Sequence, residues 1–348
     1  AYYCIWFNIR GDSHYLGLPD VATNSEFNYN YNVGFVPMLS LGKAALAVRI
    51  NQLIDDRYPY SVLPSEIVLA VAIDDIEGPI RFENVTRDHV IVPYGTLEDL
   101  LGCEDPRVVE FGDYLLMFYT SVTIELGEEG RWRSDLGANV RVSLSLASRP
   151  KNFTKQDIYM EWTKHGKILP NESNSKSGAL LQTDHGNFLF WGDTKISIAT
   201  TQNGFNYTET GEILIKPRED YFDSFLVESG PNPLPLPNGD YLFLYNSARR
   251  SSMKNPKPNW DLEYNLGYVI LDKQDPTHVK CRSSEPILSP TLNWEICNGT
   301  QPVGLTPNVV FVEGWSQISS TADTAKYRVY YQGCDSFTGA STLTVTLK

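Results

Sequence analysis

The sequence predicts an all-β chain folded as a five-bladed β-propeller, with residues 1–348 forming one catalytic domain. Two observations carry that prediction. The first is composition: 20 Tyr, 15 Phe and 7 Trp, with 21 Pro and 25 Gly, suit many short strands joined by turns rather than long helices. The second is internal repetition, in which a phrase running from alternating apolar residues into polar ones recurs at residues 45–49, 114–121, 187–193, 241–247 and 327–335.

Three copies follow a turn signal, Phe111-Gly112-Asp113, His185-Gly186 and Asn238-Gly239-Asp240, which is hairpin chemistry. A second apolar phrase follows at 67–73, 140–148, 196–201, 266–271 and 341–347, and the first three of these reach an aromatic, Phe82, Phe153 and Phe205, after a polar turn. Five paired phrases read as blades, none able to bury its faces without neighbours. A β-sandwich is the alternative with the same alternation. Residues 125–135, rich in charge, read as a solvated loop over one face.

A formal net charge of −13, with no Lys/Arg cluster to offset it, would repel a phosphate backbone and argues against nucleic acid as a partner. No run of eighteen apolar residues offers a membrane span, and the opening Ala1-Tyr2-Tyr3-Cys4 has no signal-peptide pattern. Cys4, Cys103, Cys281, Cys297 and Cys334 show neither CxxC nor histidines at zinc-ligand spacing, so no metal is expected, and the odd count leaves at least one cysteine unpaired; the enzyme reading given below calls for no cofactor. Asn-x-Ser/Thr triplets begin at Asn84, Asn152, Asn171, Asn206 and Asn298 and fit a secreted or extracytoplasmic glycoprotein. Nothing in the sequence sets the oligomeric state.

If the first phrases are the innermost strands, their polar ends place Arg49, Tyr119, Asp193, Asn246 and Asp335 around one axis. Asp105 precedes the second such strand and Glu228 the fourth. Glycoside cleavage needs two carboxylates flanking one bond, and two acids from different blades can supply them. On spacing alone each acid has a plain alternative, Asp105 as a turn former before Pro106 and Glu228 as a solvated residue.

The order of the phrases resembles glycoside hydrolase family 130, the β-mannoside phosphorylases and β-mannosidases. Asn24-Ser25-Glu26-Phe27-Asn28 is similar to the family's Asn-rich opening, and Cys103-Glu104-Asp105-Pro106-Arg107 to its most characteristic segment. Asp223-Ser224 with Glu228-Ser229-Gly230-Pro231, then Pro307 to Phe311 and Tyr330 to Asp335, resemble the later motifs. The resemblance implies an exo-acting, inverting enzyme on a mannose-containing oligosaccharide, with Asp105 as general acid acting through the sugar's 3-hydroxyl. It implies further that Asn28, Arg49 and Asp335 hold the mannose ring, with Glu104, Arg107, Tyr119, Lys176, Trp191, Asp193, Asn246 and Glu295 lining the substrate site. Trp191 is the candidate for stacking on a pyranose.

Two departures from the family pattern bear on the reaction. The family's phosphorylases carry His-Arg-Pro or Ser-Arg-Pro where this chain reads Phe190-Trp191-Gly192-Asp193, and Tyr-His-Gly where it reads Tyr245-Asn246-Ser247. Lost cations and gained acids favour water over phosphate as nucleophile. The expectation is therefore a β-1,2- or β-1,4-mannosidase with Glu228 as base and Asp193 and Glu295 as rivals. The alternatives are a mannoside phosphorylase or mannosyl-transferring enzyme, for which Arg141 and Lys176 lie near phosphate-binding positions, and a carbohydrate-binding propeller without catalysis. Loops 53–64 and 124–136 are expected to set linkage preference.

Overall fold

The computed structural model describes residues 6–8, 14–15, 29–51, 64–74, 76–83, 89–93, 98–124, 131–133, 138–172, 174–255, 257, 260–298 and 304–347. They form a five-bladed β-propeller of antiparallel sheets. From axis to rim, blade 1 comprises Tyr29–Met38, Lys43–Asn51, Glu66–Val71 and His89–Ile91. Blade 2 comprises Gly102–Phe111, Tyr114–Ile124, Ala138–Pro150 and Thr163–Lys167. Blade 3 is Ala179–Thr183, Gly186–Trp191, Ile196–Thr201 and Thr208–Ile215. Blade 4 is Leu226–Ser229, Tyr241–Arg250, Leu262–Leu271 and Val279–Arg282. Blade 5 is Val310–Ser320, Thr324–Gly333 and Phe337–Thr346, completed at the rim by Trp6–Asn8.

That last pairing sets Trp6 opposite Thr346 and Asn8 opposite Thr344, so strands from both ends of the chain share one sheet. An otherwise open edge is thereby paired. Among the described residues apolar clusters hold the blades side by side at every neighbouring pair. Met38, Leu69, Met117 and Trp162 join blades 1 and 2, while Phe118, Leu144, Leu189 and Ala199 join blades 2 and 3. Phe190, Ile198, Phe243 and Val269 join blades 3 and 4, and Leu244, Tyr268, Val312 and Tyr331 join blades 4 and 5. Leu46, Ala70, Tyr330 and Ala340 close the ring between blades 5 and 1. Because middle strands are covered on both faces, segments such as Ile67 to Val71 are apolar throughout rather than strictly alternating.

The first phrases are not the innermost strands. All five are second strands and the following phrases are third strands, so the axis is lined by segments that alternation does not reveal. Asp105 and Glu228 consequently lie on innermost strands themselves, whereas Arg49, Tyr119 and Asn246 lie one strand further out. Close approach near the axis requires glycine: a Cβ on Gly34 would sit 2.5 Å from the Pro106 carbonyl oxygen, and one on Gly314 would sit 2.7 Å from the Val33 oxygen. Blades 1, 2 and 5 therefore meet backbone to backbone around the candidate site.

Candidate active site

Three innermost strands interrupt their register at comparable depth. The shifts fall between Tyr31 and Val33 in blade 1, between Glu104 and Arg107 in blade 2, and between Val312 and Gly314 in blade 5. A bulge re-aims side chains that a regular strand would send into the sheet faces. Here the interruptions bring together Asn32, Asp105 and Glu313. Asn32 and Asp105 take left-handed backbone at φ 47° and 56°, conformations that cost of order 1–3 kcal/mol and concentrate at functional sites.

Asp105 is buried and surrounded by cations. Arg49 Nη1 donates to Asp105 Oδ1 at 3.0 Å, and Lys176 Nζ stands 3.5 Å from Oδ2. Burial by itself would raise the Asp105 pKa, but Lys176, Arg49 and Arg107 together overturn that and hold it below the usual carboxylate value. Arg49 also pairs with Glu104, donates to Asn32 Oδ1 at 3.2 Å and lies 4.6 Å above the Tyr31 ring. Burial opposes the Arg49 charge, yet Glu104, Tyr31, Asp105 and Asp335 keep its pKa above the ordinary value. Tyr31 donates to Asn51 at 2.6 Å, and burial first of all raises its phenol pKa.

Arg107 is fully buried and clamps three elements. Its Nε donates to the Gly230 carbonyl at 2.9 Å, Nη2 to the Ser229 carbonyl at 2.8 Å and Nη1 to the Asp105 carbonyl at 3.0 Å. Its contacts are backbone oxygens and Glu313, so it shapes the site from behind.

Lys176 comes from the segment leading into blade 3. The Lys176 carbonyl accepts from Gly192 N–H at 2.9 Å, and neighbouring Ser175 is tied to Val142 and Leu144 of blade 2. Its ammonium lies 3.2 Å from Glu228 Oε2, an oxygen that also accepts from Ser177 Oγ at 2.9 Å. One cation thus bridges the two carboxylates singled out in the sequence.

The remaining expected residues fall into separate roles. Asp335, at φ 49°, accepts from Gln332 Nε2 at 2.5 Å and lies close enough to Arg49 to act on its charge. Tyr119 is buried in the cluster between blades 1 and 2, and Trp191, 6 % exposed, packs between blades 2 and 3. Asp193 lies on a shallow hollow beside Trp191, Asn174 and Glu209. Asn246 spends its amide on the backbone of Val312, donating to its oxygen at 2.9 Å and accepting from its nitrogen at 2.8 Å. Glu295 accepts from the Thr291 and Leu292 N–H groups at 2.7 and 2.9 Å and from Tyr331 Oη at 2.8 Å. Buried and fully engaged, Asn246 and Glu295 brace the scaffold rather than reach a sugar or a water. Asn28 and most of loops 53–64 and 124–136 lie outside the described residues.

Asn246→Leu should cost roughly 2 to 6 kcal/mol, because two buried backbone groups of Val312 lose their partners at about 1–3 kcal/mol each. Urea unfolding checks this, as a lower midpoint at unchanged slope.

The sequence reading missed Asn32, Ser177 and Glu313. Glu313 had one signal, a lone acid closing the apolar run Val309 to Val312. Cys297 and Cys334 form a disulfide with Cα atoms 6.3 Å apart, Cys103 and Cys281 are thiols, and Cys4 lies outside the described residues. Among the described residues no group of His, Cys, Asp and Glu could hold a metal, and no helix is long and apolar enough to cross a membrane.

The axis of the propeller thus presents buried carboxylates interleaved with cations. The glycoside hydrolase family 130 model, described as beta-1,4-mannooligosaccharide phosphorylase, matches residues 30–346, and the chain belongs to that family. It is 29% identical over 258 residues to a 1,2-beta-oligomannan phosphorylase of Thermoanaerobacter sp. (strain X514), covering 74% of this chain and 73% of the relative. A beta-1,2-mannobiose phosphorylase of the same organism is 26% identical over 270 residues, or 77% and 74% of the two chains. The structure of a Listeria innocua beta-1,2-mannobiose phosphorylase in complex with beta-1,2-mannobiose superposes with a TM-score of 0.66 at 18% identity, covering 91% of this chain and 89% of that one.

These relatives correct the expectation of hydrolysis, since they are phosphorylases. That expectation rested on cations missing from the third and fourth blades and on Glu228 as a base for water. Lys176 supplies a cation between the acids from outside those motifs, and the Glu228 carboxylate is engaged by Lys176 and Ser177.

Proposed function

We propose that the protein is an inverting β-mannoside phosphorylase acting on β-1,2-linked manno-oligosaccharides, with inorganic phosphate as nucleophile. The observation that carries the reading is Lys176, whose ammonium lies within 3.5 Å of Asp105 and 3.2 Å of Glu228. The names of the curated relatives supply the linkage and the co-substrate.

In the free site Asp105 is held ionised, which is the wrong state for an acid. Phosphate bound at Lys176 would cancel that cation's pull on Asp105 and add a negative neighbour. Both changes raise the proton affinity of the carboxyl. Phosphate entry is therefore coupled to proton uptake by Asp105, and the nucleophile arms the acid. A phosphate oxygen then bonds to the anomeric carbon, the glycosidic bond breaks, and the departing oxygen gains its proton from Asp105 through the 3-hydroxyl. Arg49, Glu104 and Asp335 would bind the hydroxyls of the mannose ring, and Arg107 would fix the backbone beneath the acid.

The reverse reaction tests this reading without a natural substrate in hand. Incubated with mannose 1-phosphate and mannose, the protein should release inorganic phosphate and form a β-1,2-linked disaccharide. No phosphate release with any mannosyl acceptor would count against the reading.

A further inference from the structure

One buried acid has no part in the steps above. Glu313 is 1 % exposed and sits where the innermost strand of blade 5 shifts register. Its Oε1 accepts from Asn32 Nδ2 at 3.0 Å and lies 3.4 Å from Arg107 Nη2. Its Oε2 is buried and has no hydrogen-bond partner among the described residues. Asn32 and Arg107, the two groups that hold Glu313, are also those that reach the acid: Arg49 bonds both Asn32 and Asp105, and Arg107 bonds the Asp105 carbonyl.

We propose that Glu313 is a neutral, proton-bearing positioning residue of the mannoside site, and that loss of its proton ends turnover on the alkaline side.

From blade 1 comes Arg49, acting through Asn32; from blade 2 come Glu104, Asp105 and Arg107; from the approach to blade 3 comes Lys176; from blade 4 come Glu228 and the neutral Asn246; from blade 5 comes Asp335. Three cations already face four carboxylates before Glu313 is counted. A fifth negative charge would stand in a desolvated pocket with one oxygen unpartnered, an arrangement that costs more than keeping the proton. Burial above all, and the negative Asp105 next to it, outweigh Arg107, Asn32 and Lys176 and push the Glu313 pKa up to about 8. Once ionised, Glu313 draws Arg107 and Asn32 toward itself. Asn32 then competes less well for Arg49, and the orientation of Asp105 is lost.

This inference rests on the reading of the cluster as the mannoside site, so its test includes a measurement that needs no substrate. Thermal stability of the wild type and of Glu313→Gln, which keeps an acceptor for Asn32 without a titrating proton, is followed from pH 5 to pH 9. A carboxyl that keeps its proton in the folded state and has lost it in the unfolded chain destabilises progressively as pH rises from its unfolded pKa to its folded one. The wild type should therefore lose melting temperature relative to Glu313→Gln between pH 5 and about 8, with the gap constant above that. On the same proteins, the alkaline fall of mannoside turnover should begin near pH 8 in the wild type and move to higher pH in the variant, where only the Asp105 proton limits it. A stability gap that does not change with pH overturns the proposal, as does an alkaline limb with the same midpoint in both proteins. If the wild type turns over no mannoside at all, the functional reading has failed, and the stability gap alone decides whether Glu313 holds a proton. Should Glu313→Gln not fold, Glu313→Met, neutral and of similar size, carries the same comparison.

Discussion

Asp105→Asn should lower mannoside turnover by about 10²- to 10⁴-fold, the usual contribution of a positioned general acid, while leaving phosphate binding intact or tighter. The two effects separate because they have different physical origins. Asparagine fills the same space and still accepts from Arg49, but it has no proton of suitable acidity to pass on. It also removes a negative charge lying 3.5 Å from Lys176, so the ammonium becomes more available to an anion. Phosphate affinity by calorimetry, alongside initial rates, distinguishes this from general damage to the site, which would weaken both. Stability gives a second signature. The Asp105 carboxyl is held below its ordinary value of 3.8, so its ionic contribution to stability is present above that pH and fades as pH falls through the folded-state value. The deficit of Asp105→Asn at neutral pH should accordingly shrink in acid.

The second large effect is on the fold. Arg107→Met should cost roughly 3 to 5 kcal/mol, the scale for removing one member of a buried, hydrogen-bonded charge network. Methionine fills much of the volume but donates nothing. The carbonyls of Gly230, Ser229 and Asp105 lose their donors together, and Glu313 loses its nearest cation. Ser229 and Gly230 belong to blade 4 and its exit, and Asp105 to blade 2, so the guanidinium spans the axis between non-adjacent blades. Denaturant unfolding should show a large fall in midpoint. Arg107→Lys should recover little of it, because an ammonium cannot reproduce three donors in a planar fork.

The sequence disclosed the fold through its most apolar strands and concealed the site for the same reason. The second and third strands of each blade are covered on both faces over most of their length, and runs such as Leu115 to Tyr119 or Leu242 to Tyr245 announce themselves. The innermost strands that carry the two acids do not. Gly102–Phe111 carries a glycine, two acids and a proline within five residues, and Leu226–Ser229 has four residues, so neither shows a usable period. Counting visible phrases therefore gave the right number of blades and put the wrong strand at the axis. Repetition alone set Arg49 and Asp105 near the axis, and the roles expected of them and of Lys176 came from the family resemblance, since an Asp before Pro or a lone Lys carries no chemical signal by itself. Asn246 and Glu295 were misplaced because a polar residue closing an apolar phrase looks the same whether it faces a ligand or caps a backbone group. In the fold the backbone N–H and C=O of Val312 occupy both ends of the Asn246 amide. Hydrolysis was expected because motif positions were compared one at a time, whereas the cation that balances the acids reaches in from the approach to blade 3.

The account turns on phosphate as the attacking group and Asp105 as the acid, and one measurement addresses both. The protein is incubated with β-1,2-mannobiose and inorganic phosphate, and the products are followed by ³¹P and ¹H NMR from the first turnovers. The account predicts that inorganic phosphate is consumed in step with substrate and that the product is the α anomer of mannose 1-phosphate, with none formed by Asp105→Asn over the same interval. Free mannose appearing at a rate indifferent to phosphate, with the ³¹P signal unchanged, would contradict it.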